Sequence, residues 1–458
     1  VFKRNHTFTA SVFICRLCSV IGLLLLVQQS WADTAEIYPG DSIAVAVSSL
    51  SPGDTLIVHQ GTYNEDGRIT FNVAGTQALP VLVTGAANEA KPLINGTNPN
   101  HNVMVVEGNV SYLTIRGLEI TGTGDGINLN GNIHHVTLED NHVHDVTGVG
   151  LNFRSSMNNL LVRRNHIHDT HDTAEGMYIG CNNSACRVTD SIFEKNLVHD
   201  TGSSADDSQG DGIELKQGSY NNIIRDNVIF NTRWPCILLY GTDGNPQNIV
   251  EGNVVWNCGD SAMQIQGEAI VRNNILINTS GAGEGFVSMN HQSSVTNLQV
   301  VNNTIIGASG AQCMVLRSWS DKPNMVVANN ALYCEGNSAL DFVNGSSGVT
   351  VANNVVVGSV SGAGGGTIQG RGTAQDFIGA SAFNVWPSAD SPLRGAANST
   401  LTPTDDFNKS SRISPSDVGA YEADSSASNP GWAVQEAFKQ LGPGDFTAPA
   451  PPTNLTVD

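Results

Sequence analysis

Long apolar runs are missing from this chain once its first thirty residues are passed. The run Val20–Val27 is shorter than the ~20 residues a membrane-spanning helix needs, and no later segment approaches that length. A membrane is therefore not an expected partner. Charge is sparse too, at 14% of residues, and basic charge is scarcer than acidic: 22 Lys and Arg stand against 42 Asp and Glu, for a net charge of −20. An acidic whole argues against general nucleic-acid binding. It leaves room for an anionic ligand on a local basic patch. Paired short Cys/His spacings are also lacking, which argues against a zinc site. Low charge density with 48 Gly does not signal disorder, because branched apolar residues recur throughout.

What is present begins with an export signal. Lys3 and Arg4 precede the apolar run, and Ser30-Trp31-Ala32 offers small residues where a signal peptidase reads. Residues 1–32 are expected to be a signal peptide and the protein to be secreted or periplasmic. Six cysteines follow: Cys181, Cys186, Cys236, Cys258, Cys313 and Cys334. An even number in an exported chain favours disulfides. Cys181/Cys186 would staple one loop. Cys236/Cys258 and Cys313/Cys334 are either disulfides or buried thiols in a stack.

Internal repetition sets the fold. An Asn followed by an alternating apolar strand recurs at Asn141, Asn165, Asn196, Asn227, Asn253, Asn274, Asn303, Asn330 and Asn354, at gaps of 24, 31, 31, 26, 21, 29, 27 and 24 residues. Segments such as Gly212–Lys216 and Ala262–Gln266 alternate with period two, which is the strand signature. One such unit cannot bury its own apolar face. Stacking the units does, and it lets each Asn bond to its equals above and below. The expected fold is all-β, a right-handed parallel β-helix of about ten coils. An independent pattern supports the register. Two residues before successive ladder Asn stand Glu139, Arg163, Glu194, Arg225, Glu251 and Arg272. Stacked coils would set each charge between opposite ones, which makes Arg225 structural rather than catalytic.

The expected layout is a β-helix with its N-terminal cap over 33–375, a C-terminal wrap over 376–424, and a tail with a Pro-rich linker over 425–458. Monomers are expected. Gaps of 31 residues place extra loops at about Cys181–Thr189 and Gly202–Gly210, and long loops on rigid scaffolds often carry function. Eight of the 22 Lys and Arg fall between Arg154 and Arg233, about twice the chain average, so the middle coils are locally basic.

Aligning the strands gives two outward rows on one exposed, flat face suited to an extended polymer. One row reads Asn130, Arg154, Gly180, Lys216, Tyr240, Gln266 and, several coils on, Arg317; the other reads Asn128, Asn152, Tyr178, Glu214, Leu238 and Gln264. Lys216 is either a base near other cations or a solvated surface lysine. Tyr240 is either a proton donor or a platform for a sugar ring. Arg154 would offset substrate charge, and Tyr178, Glu214, Gln266 and Arg317 would bind substrate. Glu175, Asp206, Asp207 and Asp211 offer oxygens for Ca²⁺, or form a solvated acidic loop. Asp206/Asp207 as the acid pair of a hydrolase is weaker, because adjacent carboxylates need not face one bond. His144, His168 and His199, each followed by Asp, resemble a metal or base cluster. The same column continues as Phe230, Trp256 and Ile277, so it reads mainly as a stack of rings.

Pro52-Gly-Asp-Thr55, the segment Gly75–Val83 and the stretch Gln209–Asn227 resemble the alginate lyase and chondroitinase-B group of β-helix polysaccharide lyases, with specificity over about one coil. The resemblance implies β-elimination on an anionic, uronic-acid-containing polysaccharide, with Lys216 as base and Ca²⁺ bound by acidic residues before it, at positions matching Gln209 and Asp211. That family has an Arg-His-Gly segment one coil later, where this sequence has Leu239-Tyr240-Gly241. The alternatives are a carbon-5 epimerase, which begins with the same proton abstraction, and a non-catalytic carbohydrate-binding or adhesion β-helix.

Overall fold

A computed structural model describes residues 32–278, 283–307, 310–379 and 384–424. The expected signal peptide, apart from Ala32, and the expected tail lie outside the described residues. The chain is a right-handed parallel β-helix: among the described residues 36 strands form one continuous sheet, and Phe377–Gly379 pairs with Asn384–Pro387 separately and antiparallel. A coil consists of three short strands, for example Ile213–Leu215, Ile223–Arg225 and Val228–Thr232. Each pairs in parallel with its equivalent one coil on, Ile213 with Ile237, Ile223 with Ile249 and Val228 with Val254.

Alternation puts Ile213, Leu215, Ile224 and Ile229 inside, all fully buried, in one apolar column that runs from Ile37 to Ala363. Burying a side chain of this size contributes about 1.5–3 kcal/mol. At the N-terminal end the short helix Ile43–Ser48 covers the column with Ile43, Ala46 and Val47. The Ser42 hydroxyl accepts from the Val45 N–H at 3.3 Å, and a Glu65 carboxylate oxygen accepts from the Ile43 N–H at 2.6 Å. Those contacts satisfy donors that a helix start leaves free.

The asparagine column forms as expected. Asn196 donates from its backbone N–H and its side chain to Asn227 Oδ1, at 2.9 and 3.0 Å. Asn227 Nδ2 donates to the Phe193 carbonyl at 3.0 Å and to Asn253 Oδ1 at 2.9 Å. The same pattern repeats from Asn141 to Asn354. The residue before each ladder Asn takes a left-handed conformation, as at Asp140, Arg164, Lys195 and Asp226, with φ between 52° and 57°. This turns the chain through the corner and points the following amide inward. The charge pattern pairs as well. Arg163, Arg225 and Arg272 each hold the Glu of the preceding coil, at 2.6, 2.6 and 2.7 Å. All three cysteine pairs are disulfides.

The ring column is continuous: His144, His168, His199, Phe230 and Trp256 stack with centroids 5.2, 4.8, 4.7 and 4.3 Å apart. Its change of residue type has a physical cause. Phe230, Trp256 and Ile277 lie beneath the segment that carries Phe377, Val385, Leu393, Phe407, Val418 and Tyr421, and together they form a second apolar cluster. Where that cover ends, the column is histidine. Burial lowers the His142 pKa to about 3 and lowers those of His166 and His168.

The covering segment holds a buried Arg412, which donates to the Gly419 and Ala420 carbonyls at 2.8 and 3.0 Å and lies 3.6 Å from Glu422. Burial pushes the Glu422 carboxyl up to about 7, from an ordinary 4.5.

Two outcomes follow from this packing. Asn227→Ala orphans several buried groups at roughly 1–3 kcal/mol each, so a urea titration should show a loss of about 3 kcal/mol or more. Glu422 binds its proton more tightly folded than unfolded. Its contribution is thus present below pH 4.5 and lost as pH rises through about 7. The drop in urea midpoint between pH 5 and pH 8 should therefore be smaller in Glu422→Gln than in the parent.

Candidate active site

The strands Met177–Ile179, Ile213–Leu215, Ile237–Leu239 and Met263–Ile265 lie side by side, and their register stacks Tyr178, Glu214, Leu238 and Gln264 in one row. Lys216 and Tyr240 immediately follow their strands, and their N–H groups donate to Ile179 and Leu215 carbonyls at 2.8 and 3.0 Å. This brings both side chains to the same end of the row. Gly180 occupies the position between Arg154 and Lys216, with φ +94°. A Cβ there would meet Ser219 Oγ at 2.8 Å and Lys216 Cβ at 3.2 Å. The missing side chain lets two cations reach one aromatic ring: Arg154 Cζ lies 4.6 Å and Lys216 Nζ 4.5 Å from the Tyr178 centroid. Lys216 Nζ also lies 5.2 Å from the Tyr240 ring centroid and pairs closely with Glu214.

These residues line a cavity of about 600 Å³, within the ~300–1,000 Å³ usual for ligand sites. The expectation of a flat, exposed face is corrected here. Tyr178, Glu214, Lys216 and Tyr240 are each no more than 7% exposed. Trp234, Pro235, Met289, His291 and Gln292 also line the cavity.

Beneath the cations sit three buried carboxylates, Glu175, Asp211 and Glu214, each offering an oxygen within 4.8 Å of the others. Burial pushes the Glu175 carboxyl up to about 7. Burial raises Asp211 well above the ordinary range, and the neighbouring Glu214 and Glu175 add to this. Burial also raises Glu214, against the pull of Lys216. Glu175 Oε2 and Asp211 Oδ1 are buried without a hydrogen-bond partner among the described residues. An oxygen-rich cluster with orphaned acceptors fits a hard cation. Burial raises the Tyr240 hydroxyl pKa, so it keeps its proton.

Other sequence-derived positions fall elsewhere. Asp206 is exposed, and Asp207 accepts from the Ser204 and Asp172 N–H groups, both at 2.8 Å. Asp207 therefore pins the inserted loop to the coil before it, and neither residue joins the carboxylate cluster. Glu214, read from sequence as a substrate contact, does join it. Arg317 is half-buried, pairs with Glu284 at 3.8 Å, and does not line the cavity. Gln266 is fully buried, off the cavity lining, and neither amide atom has a hydrogen-bond partner among the described residues. His291, 5.7 Å from the Tyr240 ring, was not foreseen. It stands in an irregular loop, for which the repeat supplies no register.

Comparison with known proteins places this geometry among β-helices. The family described as Pel9A-like, right handed beta helix region, matches residues 28–190, and a disaggregatase-related family matches residues 157–364. No curated protein matches the sequence. Among solved structures, a complex of XylC with xylose is 11% identical, covers 83% of this chain and 95% of its own, and has a TM-score of 0.60. The A-module of the Azotobacter vinelandii mannuronan C-5 epimerase AlgE6 is 16% identical, with coverages of 71% and 93% and a TM-score of 0.51. Pectate lyase Pel9A is 15% identical, with coverages of 83% and 90% and a TM-score of 0.49. At these identities the likeness is one of fold.

If the orphaned oxygens form a cation site, CaCl₂ should raise the melting temperature of the parent protein and leave that of Asp211→Asn unchanged, as read by calorimetry.

Proposed function

We propose that this protein is a secreted or periplasmic lyase that cleaves a uronic-acid-containing polysaccharide by β-elimination. The observation that carries the reading is Lys216, whose Nζ lies between the Tyr178 and Tyr240 rings and against buried Glu214, with Arg154 over the same Tyr178 ring. Elimination needs a group that offsets the substrate carboxylate, a base for the proton on the adjoining carbon, and an acid for the departing oxygen.

Arg154 suits the first role. An arginine does not give up its proton, so of the two cations at the Tyr178 ring Lys216 is the base. Its partner Glu214, raised by burial and in contact with Nζ, can receive the proton that Lys216 must release to act as a base. The amine takes the C5 proton, the freed electron pair forms the C4–C5 double bond, and the bond from C4 to the glycosidic oxygen breaks. Tyr240, which retains its proton, donates it to that oxygen. Glu175 and Asp211 would hold a divalent cation, and such an ion when bound would neutralise the uronate carboxylate and acidify the C5–H bond. Trp234, 42% exposed beside the cavity, offers a face for a sugar ring.

Alginate, pectin and glycosaminoglycans, each tested with and without chelator, should reveal one substrate that yields unsaturated ends absorbing in the ultraviolet. Lys216→Ala should abolish that signal, and Tyr240→Phe should lower the rate by about 10²–10⁴-fold. Saturated ends would indicate a hydrolase. C5 proton exchange without chain shortening would indicate an epimerase. Binding with no product would indicate a carbohydrate-binding protein.

A further inference from the structure

We propose a second metal site, distinct from the carboxylate cluster, in which His166, His168 and His199 bind one first-row transition-metal cation such as Zn²⁺. The strands His166–Thr170 and Leu197–Thr201 are parallel neighbours, with His168 opposite His199. The sequence alternates His-Ile-His over 166–168, so both outward positions of the first strand carry imidazoles. The result is a group of three whose ligand nitrogens all lie within 4.8 Å of one another.

The ligand nitrogens are already sorted. Nδ1 of His168 is bonded to Asp169 at 2.7 Å, and Nδ1 of His199 to Asp200 at 2.6 Å. Asp169 and Asp200 sit at φ 49° and 50°, a left-handed turn that folds each carboxylate back onto the preceding ring. A carboxylate on one ring nitrogen fixes the tautomer and leaves Nε2 with the lone pair, which is how metal-bound histidines are oriented. Nε2 of His166 and of His199 face each other at 2.7 Å, and Nε2 of His168 faces that of His142 at 2.8 Å. Bond lengths of about 2.0–2.1 Å in a tetrahedron put two nitrogens roughly 3.3 Å apart. Opening the His166/His199 pair by about half an ångström, with His168 Nε2 turned from His142 toward the same point, therefore admits one ion in place of a shared proton. Three imidazoles without a soft thiolate suit Zn²⁺, Ni²⁺ or Cu²⁺ rather than Ca²⁺. The other histidine group, His142, His144 and His168, is less open, because Nε2 of His144 is engaged by Glu119 at 3.1 Å.

The position suggests what the ion does. The strand bearing His166 and His168 leads through a short turn to Glu175, and the strand bearing His199 leads through the inserted loop to Asp211. An ion joining the two would clamp the pair of coils that deliver those carboxylates. Its role is structural, and it stands whether or not the protein is a lyase.

The test is Zn²⁺ titration of the untagged full-length protein by calorimetry, with Co²⁺ as a spectroscopic probe. The expected result is one Zn²⁺ per chain at micromolar affinity or tighter, a raised melting temperature reversed by chelator, and visible Co²⁺ bands of a tetrahedral nitrogen site. His168→Phe and His199→Phe extend the ring stack that Phe230 and Trp256 already form, so they should fold. Each should weaken binding at least tenfold and remove the Co²⁺ bands. The double variant Glu175→Gln/Asp211→Asn should retain both. Affinity no tighter than millimolar, or binding unchanged in the two Phe variants, would overturn the proposal.

Discussion

A single column of buried amides governs this molecule. Each ladder asparagine spends its side chain on the carbonyl and the amide of adjacent coils, so the coils cannot slip past one another without orphaning buried donors. Slippage by one residue would also turn every inward side chain outward. Everything placed on the outer surface inherits that registration. Residues 24 to 38 apart in the chain are brought together, which is how Tyr178, Glu214, Lys216 and Tyr240 converge.

Rigidity of this kind makes a buried charged site tolerable. Glu175, Asp211, Glu214 and Lys216 would each be costly to desolvate alone. On a fixed face they compensate one another in part: Lys216 against Glu214, two tyrosine rings against two cations. The compensation is incomplete, and the remainder shows as carboxyls pushed toward their neutral forms and as unpartnered oxygens on Glu175 and Asp211. Those oxygens are the ones the proposed cation would take up.

The outer surface also shows how covering decides residue type. One column holds histidines where water reaches it and aromatic or aliphatic residues where the segment from Phe377 to Tyr421 lies over it. The interior column shows no such switch, because it is dry along its whole length.

Much of this was readable before any coordinates. The Asn spacing and the alternation of Glu139, Arg163, Glu194, Arg225, Glu251 and Arg272 carry the fold and its register, because stacking constrains each coil by the same local rule. The row containing Arg154, Lys216 and Tyr240 follows from that register. The depth of the site does not, since it depends on walls from Trp234 and from the 289–292 segment, whose irregular loops have no repeat to align. For the same reason Asp206 and Asp207 looked like partners of Asp211 when the inserted loop carries them away, and His291 gave no signal. Which residues share a height on the solenoid is written in the chain's periodicity, because strand period and buried amides are local demands. Which of those residues are enclosed together emerges from the folded chain alone, because enclosure is made by segments whose path no periodic force prescribes.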